Sequence, residues 1–203
     1  VYPMFGGSGS EEMEHTINEV AKAAQELSSR RLGALIVIQR EVGLEEHTET
    51  AVRLDAYVSK ELLVSIFLPT SPIHDGAVVI NGSRIVAAGT VLPLTFTSEL
   101  GGSLGTRHRA ALGLSERTDS VVIVVSEETG IISLVREGKM TRDLNEKTLM
   151  NALTRLTIFR QRRVNKLKVQ KLLASASRAP KKAESSEKGD SENTTNKNVE
   201  TVS

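Results

Sequence analysis

The spacing of apolar residues changes several times along the chain, and each change predicts a secondary-structure element. Between residues 11 and 29, apolar positions recur at steps of three and four, which is typical of one face of an amphipathic helix. Those positions are Met13, Ile17, Val20, Ala21, Ala24 and Leu27. Residues 33–38 and 120–126 are instead nearly continuous apolar runs rich in β-branched side chains. Runs of this length predict strands that are buried on both faces of a sheet.

The remaining segments predict shorter elements and turns. Asn81-Gly82 suits a type I′ turn and predicts a hairpin made of strands 78–80 and 84–92. Other predicted elements are helices at 58–68, from about 105 to 117 and from 145 to about 173, and strands at 51–54 and 131–136. This order, without any internal repeat, predicts an α/β domain with a mixed central β-sheet flanked by α-helices.

Changes in composition divide the chain into four parts. Residues 1–10 are rich in Gly and Ser, as is typical of a linker or an expression remnant. Residues 11–160 hold the predicted domain, and 161–178 are predicted to be a C-terminal helix extension. Residues 179–203 have almost no apolar side chains to bury, which predicts a disordered polar tail.

Composition also narrows the possible chemistry. Of the 203 residues, 39% are hydrophobic but only 3% are aromatic, so we expect an aliphatic core. The chain has no cysteine, which excludes disulfides, thiolate zinc sites and a cysteine nucleophile. No apolar run approaches the ~20 residues that a membrane-spanning helix needs. We therefore expect a soluble chain, in keeping with a reducing cytoplasm.

The formal net charge of +1 conceals an uneven distribution. Residues 1–160 carry 16 Lys and Arg against 20 Asp and Glu, whereas residues 161–203 carry 10 against 5. Because the predicted domain is mildly acidic, a basic motif inside it is a local feature and not part of a general nucleic-acid surface.

The strongest local motif lies at residues 105–113, where a glycine-containing loop leads into good helix formers. Free N–H groups and the positive end of the helix dipole favour an anion at such a position. Arg107 and Arg109, on either side of His108, add planar cations that match phosphate oxygens. Because residues i and i+2 do not share a helix face, we expect Arg107 at or before the helix start and Arg109 inside the helix. A capped helix with a solvated charged face accounts for these residues equally well.

A second group of polar residues precedes the strand at 78–80. Asp75 follows His74, and the small residues Gly76 and Ala77 would let a ligand approach the backbone closely. An aspartate at a strand edge can accept a hydroxyl proton or hold a metal. Taken alone, however, the Asp-Gly pair is explained more simply as a turn.

Further carboxylates come from Glu127 and Glu128, which follow another predicted strand and are otherwise exposed hairpin acids. Around one cleft, these acids, Asp75 and the 105–113 motif would supply the groups that phosphoryl or nucleotidyl transfer requires. A base and a metal would lie on one side, and phosphate ligands on the other. The chain has no Gly-x-x-x-x-Gly-Lys-Ser/Thr loop, so it is not a P-loop protein.

Two short motifs, Asp75-Gly76-Ala77 and Arg107-His108-Arg109, resemble the signature motifs of the diadenylate cyclase domain. Their surroundings are similar at residues 33–36, 72–77, 92–94, 105–113 and 124–130. The resemblance covers about residues 11–160 and is greatest to the membrane-tethered bacterial class, whose cyclase domain follows transmembrane helices. It implies that this chain is a soluble truncation of a protein held at the cytoplasmic face of the cell membrane.

The resemblance implies an enzyme that joins two ATP molecules into cyclic di-AMP, releases two pyrophosphates and uses Mg²⁺ or Mn²⁺. It implies that Asp75 acts on the ribose 3′-hydroxyl, as a general base or through the metal, and that His74 and Glu128 hold the metal. The other implied contacts are Gly76 and Ala77 with the ribose, Leu94 with the adenine, and Thr106, Arg107, Arg109 and Ser126 with the phosphates. His108 would touch ATP or orient the loop that carries it.

Each ATP must offer its 3′-hydroxyl to the α-phosphate of the other, yet the chain has one copy of each motif. We therefore expect catalysis in a homodimer, which need be only transient, with two sites facing across a twofold axis. The alternative is a non-catalytic module that senses ATP or cyclic di-AMP, against which the intact Asp75, Arg107 and Arg109 argue. Nucleic-acid binding by the basic C-terminal segment is not expected, because that segment has mixed charge and no aromatic residues.

Two features depart from the family pattern. Val91 occupies a place where relatives can carry an aromatic residue that stacks on adenine, which would weaken stacking by roughly 1–3 kcal/mol. The loop at 96–104 is also richer in glycine than expected.

Overall fold

The structure is a computed structural model that describes residues 9–95 and 104–159, with side chains to residue 157. The described residues belong to one compact unit, Val1–Asn165. The predictions for 161–178 and 179–203, and most of the predicted linker, lie outside the described residues. So does most of the glycine-rich loop at 96–104.

Five helices and seven strands make up the described part of the chain. The helices are α1 (Gly9–Ser29), α2 (Glu45–Thr48), α3 (Lys60–Ile66), α4 (Thr106–Arg117) and α5 (Glu146–Thr154), the last continued by a π-helical segment, Arg155–Phe159. The strands are β1 (Ala34–Ile38), β2 (Val52–Tyr57), β3 (Ala77–Asn81), β4 (Arg84–Thr90), β5 (Val121–Val125), β6 (Ile132–Arg136) and β7 (Lys139–Leu144).

The strands form one seven-stranded sheet in the order β2-β4-β3-β1-β5-β6-β7. Strands β1 and β3 run parallel, and the other neighbouring pairs are antiparallel. The sheet is therefore mixed, as the sequence predicts.

Alternate residues of the central strands enter two separate cores, one on each face of the sheet. In β1, Ile36 and Ile38 join a first core that includes residues of α1, α3 and α5. Leu35 and Val37 point the other way, into a second core beneath α4. Burial on both faces explains why the sequence of this strand is continuously apolar. The prediction of a mixed sheet flanked by helices is confirmed.

Several boundaries differ from the predicted ones. Helix α1 begins at Gly9, so the last two residues of the predicted linker are helical. Helix α3 is shorter than 58–68, because the Ser59 hydroxyl caps its start by accepting a hydrogen bond from the Leu62 N–H. Strand β7 was not predicted, since it is an edge strand whose residues are mostly polar and half or fully exposed.

Candidate active site

A cleft of about 720 Å³ opens where the ends of four strands meet at one edge of the sheet. Strand β1 begins beside the end of β5, where Ala34 pairs with Val125. Strand β3 begins beside the end of β4, where Ala77 pairs with Thr90. The parallel pairing of β1 and β3 brings the two pairs together, and the first turn of α4 closes one side of the cleft.

Most of the predicted site residues line this cleft, although they come from distant parts of the sequence. Those that line it are His74, Asp75, Gly76, Leu94, Thr106, Arg107, His108, Ser126 and Glu128. Ala77 and Arg109 are not among the lining residues. Ala77 is fully buried in the second core at the start of β3, so the structure supports the cleft with this residue and does not expose it to a ligand.

The turn before β3 holds Asp75 at the mouth of the strand. Gly76 has a φ of 107°, and a Cβ there would lie 2.8 Å from the backbone of Gly89 and Thr90, so only glycine fits. Asp75 is exposed beside it. The Nδ1 atom of His74 lies 2.6 Å from the Ser71 carbonyl oxygen, to which it donates in the tautomer that carries the proton on Nδ1. In that tautomer, Nε2 keeps its lone pair.

Helix α4 begins at Thr106, with Gly105 as an N-cap that makes no side-chain hydrogen bond. The first N–H groups of a helix have no partner inside it, so this end favours an anion. Arg107 lies in the first turn, not at or before the helix start as expected. Its Nη1 donates a hydrogen bond to the Glu127 carboxylate at 2.8 Å, and its Nε is buried without a partner among the described residues.

Arg109 lies elsewhere because both arginines are helical and residues i and i+2 diverge by more than half a turn. Its Nε and Nη2 atoms each lie 3.4 Å from the Thr95 carbonyl oxygen, to which they donate. The Thr95 N–H in turn donates to the Arg109 carbonyl at 3.1 Å. Gly113 allows this close approach, since a Cβ there would lie 2.2 Å from the Pro93 carbonyl oxygen. Arg109 therefore joins α4 to the segment that carries Leu94.

His108 is buried, with 6% of its surface exposed. Burial lowers the pKa of its imidazole below the usual value of 6.5, the charge of Arg142 lowers it further, and Glu128 opposes the shift. The imidazole is therefore neutral at pH 7, and Nε2 has no hydrogen-bond partner among the described residues.

Unpaired polar atoms concentrate at the cleft. Among the residues the structure describes, five buried side-chain atoms have no hydrogen-bond partner, and three of them belong to lining residues: Thr90 Oγ1, Arg107 Nε and His108 Nε2. Buried polar groups are normally paired, so unpaired ones gathered around an open cleft indicate a site for a polar ligand.

Sequence reasoning did not select several of the lining residues, among them Thr90, Thr129 and Arg142. Thr90 is hidden in an apolar strand, and Arg142 lies in a strand that was not predicted. Val91, named in the sequence as a departure from the family pattern, is 75% exposed and lines the cleft.

The carboxylates at the cleft differ in their partners. Glu127 pairs with Arg107, whereas no such ion pair is found for Glu128 in residues 9–95 and 104–159. In the same residues, no group of three or more His, Asp or Glu side chains is arranged to hold a metal ion. A metal at this cleft would therefore need ligands from the nucleotide or from water.

A family model described as DisA bacterial checkpoint controller nucleotide-binding (DAC) matches residues 21–140, more than half of the chain. A Listeria monocytogenes protein named diadenylate cyclase is 46% identical over 153 residues, which cover 75% of this chain and 56% of that protein. The chain thus spans little more than half the length of this relative.

Solved structures are similar as well. The crystal structure of a double mutant of DacA from Staphylococcus aureus matches with a TM-score of 0.69 and 44% identity, over 71% of this chain and 97% of that one. A structure titled as a hypothetical membrane spanning protein from Bacillus cereus matches with a TM-score of 0.60 and 46% identity, over 62% of each chain. In the described part of this chain, no helix has both the length and the apolar character needed to cross a membrane. Taken with the cleft at the ends of β1 and β3, these matches establish that the chain belongs to the diadenylate cyclase (DAC) domain family.

Proposed function

We propose that this chain is the catalytic domain of a diadenylate cyclase, which joins two ATP molecules into cyclic di-AMP and releases two pyrophosphates. The observation that carries the proposal is the cleft, where Asp75 from the start of β3 and Arg107 from the start of α4 line one space of about 720 Å³. The fold brings together a carboxylate that can take a proton and a cation that can hold a phosphate.

In the proposed reaction, Asp75 receives the proton of a ribose 3′-hydroxyl. The 3′-oxygen bonds to the α-phosphorus of the second ATP, and the bond from that phosphorus to the bridging oxygen breaks. Pyrophosphate leaves with the electron pair of the broken bond. Two such transfers close the ring. Gly76 leaves the backbone bare beside Asp75, which gives the ribose room to approach.

Phosphate binding is assigned to the first turn of α4 and to the end of β5. Arg107 and Thr106 lie at the positive end of the helix, and Ser126 follows β5 across the cleft. Arg109 contributes indirectly, because its contacts with Thr95 fix α4 against the segment of Leu94, the residue we assign to the adenine. His108, neutral and buried, supports this arrangement from the second turn-facing side of the cleft.

The residues present fit a divalent metal that also binds the nucleotide. When the Nδ1 atom of His74 donates to the Ser71 carbonyl, Nε2 is left as a ligand, an arrangement that orients metal-binding histidines. Glu128 and Asp75 add oxygen ligands, the type that Mg²⁺ and Mn²⁺ prefer. Bound with ATP, Mg²⁺ or Mn²⁺ would neutralise negative charge on the phosphates.

Catalysis is proposed to take place in a homodimer. One chain has one Asp75 and one Arg107, so it can hold one ATP in this way, and each hydroxyl must meet an α-phosphate held by a second copy. The dimer can be transient, because acidic and phosphate-bearing surfaces repel each other until cations neutralise them.

The location and boundaries of the domain are also proposals. Residues 11–160 would form the catalytic domain, followed by a helix extension and a polar tail. The membrane-spanning Bacillus cereus protein and the greater length of the Listeria relative support a full-length protein held at the cytoplasmic face of the membrane, where ATP is available.

The decisive experiment is incubation of the chain with ATP and Mn²⁺ or Mg²⁺, followed by chromatography and mass spectrometry of the nucleotides. Cyclic di-AMP and pyrophosphate are expected in a ratio of one to two. ATP that binds but is returned unchanged with either metal, at high protein concentration, would favour the sensor alternative.

A further inference from the structure

Arg142 is a cation at the cleft that the roles proposed above leave unused. It extends from β7 at the edge of the sheet, it is exposed, and it lines the cleft. Arg107 is paired with Glu127, and Arg109 with the Thr95 carbonyl. Arg142 has no ion pair or hydrogen bond with another described residue. Its charge is therefore available to a ligand.

An irregularity in β7 places Arg142 on the cleft side of the sheet. Between the pairs Leu134–Thr141 and Ile132–Leu144, strand β6 advances by two residues while β7 advances by three. The extra residue makes a β-bulge, and Asp143 within it has a φ of 61°, in the left-handed region that few residues other than glycine adopt.

The bulge changes which way the strand's side chains face. Met140 packs against the second core, on the α4 side of the sheet, whereas Leu144 packs against the first core on the opposite side. In a regular strand, residues four apart face the same side. Arg142 is two residues from Met140 and so shares the α4 face with it, while the bulge lets Leu144 return to the other core. Bulges near active sites often direct a side chain in this way.

Two further observations place an anion beside Arg142. The charge of Arg142 lowers the pKa of His108, so the two side chains act on the same part of the cleft. His108 is more than nine-tenths buried, and its Nε2 lacks a partner among the described residues. The N-terminus of α4, which carries His108, adds free N–H groups. A guanidinium, a helix N-terminus and an unpaired imidazole nitrogen together suit a polyphosphate.

We infer that Arg142 binds the β- and γ-phosphates of ATP and so makes the cleft selective for nucleoside triphosphates over monophosphates, an inference that rests on the proposed cyclase function. As the attacking 3′-oxygen bonds to the α-phosphorus, the electron pair of the breaking bond passes to the departing pyrophosphate, and the hydroxyl proton passes to Asp75. The charge of Arg142 lies where that negative charge accumulates.

The test measures binding separately from turnover. The probes are α,β-methylene-ATP, which cannot release pyrophosphate, and AMP, each titrated calorimetrically with Mg²⁺ present. Arg142→Ala is expected to weaken binding of the triphosphate analogue by at least ~10-fold, as for hydrogen bonds to a charged group, and to change AMP binding less than twofold. Arg142→Lys should recover part of the loss. The matched control is Lys139→Ala, which removes an exposed cation from the same strand outside the cleft lining.

The outcomes separate this inference from the proposed function. If Arg142→Ala weakens both probes equally, or neither, Arg142 does not read the β- and γ-phosphates, even if the unaltered chain makes cyclic di-AMP. If the unaltered chain makes no cyclic di-AMP but loses its triphosphate preference in Arg142→Ala, the cyclase proposal fails and the role of Arg142 stands. An unchanged thermal midpoint in Arg142→Ala is expected, because the side chain is exposed.

Discussion

The guanidinium of Arg107 donates a hydrogen bond to the Glu127 carboxylate at 2.8 Å, directly over Gly33. A Cβ at Gly33 would lie 2.7 Å from Nη1 and 2.9 Å from Cζ of Arg107, so the absence of a side chain there makes room for the ion pair. Glu127 thereby holds the cation at the side of the cleft before any nucleotide arrives.

Gly33→Ala is expected to displace Arg107 and to weaken binding of α,β-methylene-ATP by ~10-fold, with little change in the thermal midpoint because a flexible side-chain end can move. The binding constant and the midpoint are measured on the same samples. In an Arg107→Ala background, Gly33→Ala should have no further effect on binding. An equal loss in both backgrounds would show that Gly33 acts through something other than Arg107.

Asp75→Asn preserves size and most hydrogen bonding but removes the charge that takes the hydroxyl proton. Turnover is expected to fall by at least ~10²-fold while the triphosphate analogue still binds. Rates of cyclic di-AMP formation and calorimetric binding constants provide the two readouts. Turnover within a few-fold of the unaltered chain would remove Asp75 from the reaction.

The two neighbouring glutamates are expected to differ in their link to the metal. Glu128→Gln should raise the Mn²⁺ concentration needed for half-maximal activity by ~10-fold, as is common when metal coordination is impaired. Glu127→Gln serves as the matched variant, and it should alter triphosphate affinity through Arg107 more than it alters the metal requirement. The reverse pattern in the two metal titrations would assign the metal to Glu127.

Activity per chain is expected to rise with protein concentration in the dilute range, because each transfer needs two sites that face each other. Specific activity is measured over a dilution series alongside light scattering. A constant specific activity at dilutions where scattering detects only monomer would contradict catalysis between two chains.

The buried His108 predicts a pH dependence of stability. Its folded pKa lies below 6.5, so as the pH falls through 6.5 the unfolded chain binds more protons than the folded one, and the free energy of unfolding decreases. The thermal midpoint should therefore fall between pH 7 and pH 5.5, and fall less in His108→Gln. Identical slopes in the two proteins would mean that His108 does not resist protonation in the fold.

The central sheet could be predicted because burial on both faces leaves a continuous apolar record in β1 and β5. The edge strand β7 left no such record, since one side of an edge strand meets water and its polar residues resemble a loop. Helix α2 spans only Glu45–Thr48 and buries none of its four residues, so no periodicity could show it.

The site was partly readable for a related reason. Asp75 and Arg107 stand in short motifs beside glycines, and glycines reveal tight turns and close approaches in the sequence itself. Arg142 carries no such signal, because a bulge between two strands decides its direction. Arg109 could not be placed without the exact start of α4, since a shift of one residue there turns the side chain by about 100°.

The contact between Gly113 and Pro93 has a consequence for recognition. Because α4 carries Arg107 and is fixed to the segment of Leu94 through backbone and arginine hydrogen bonds, the two ends of the cleft belong to one rigid body. The span between Leu94 and Arg107 is then set by the main chain and is independent of any single rotamer. A molecule that contacts both residues is measured against a fixed length, so a ligand too short or too long to bridge them loses one contact entirely instead of weakening both.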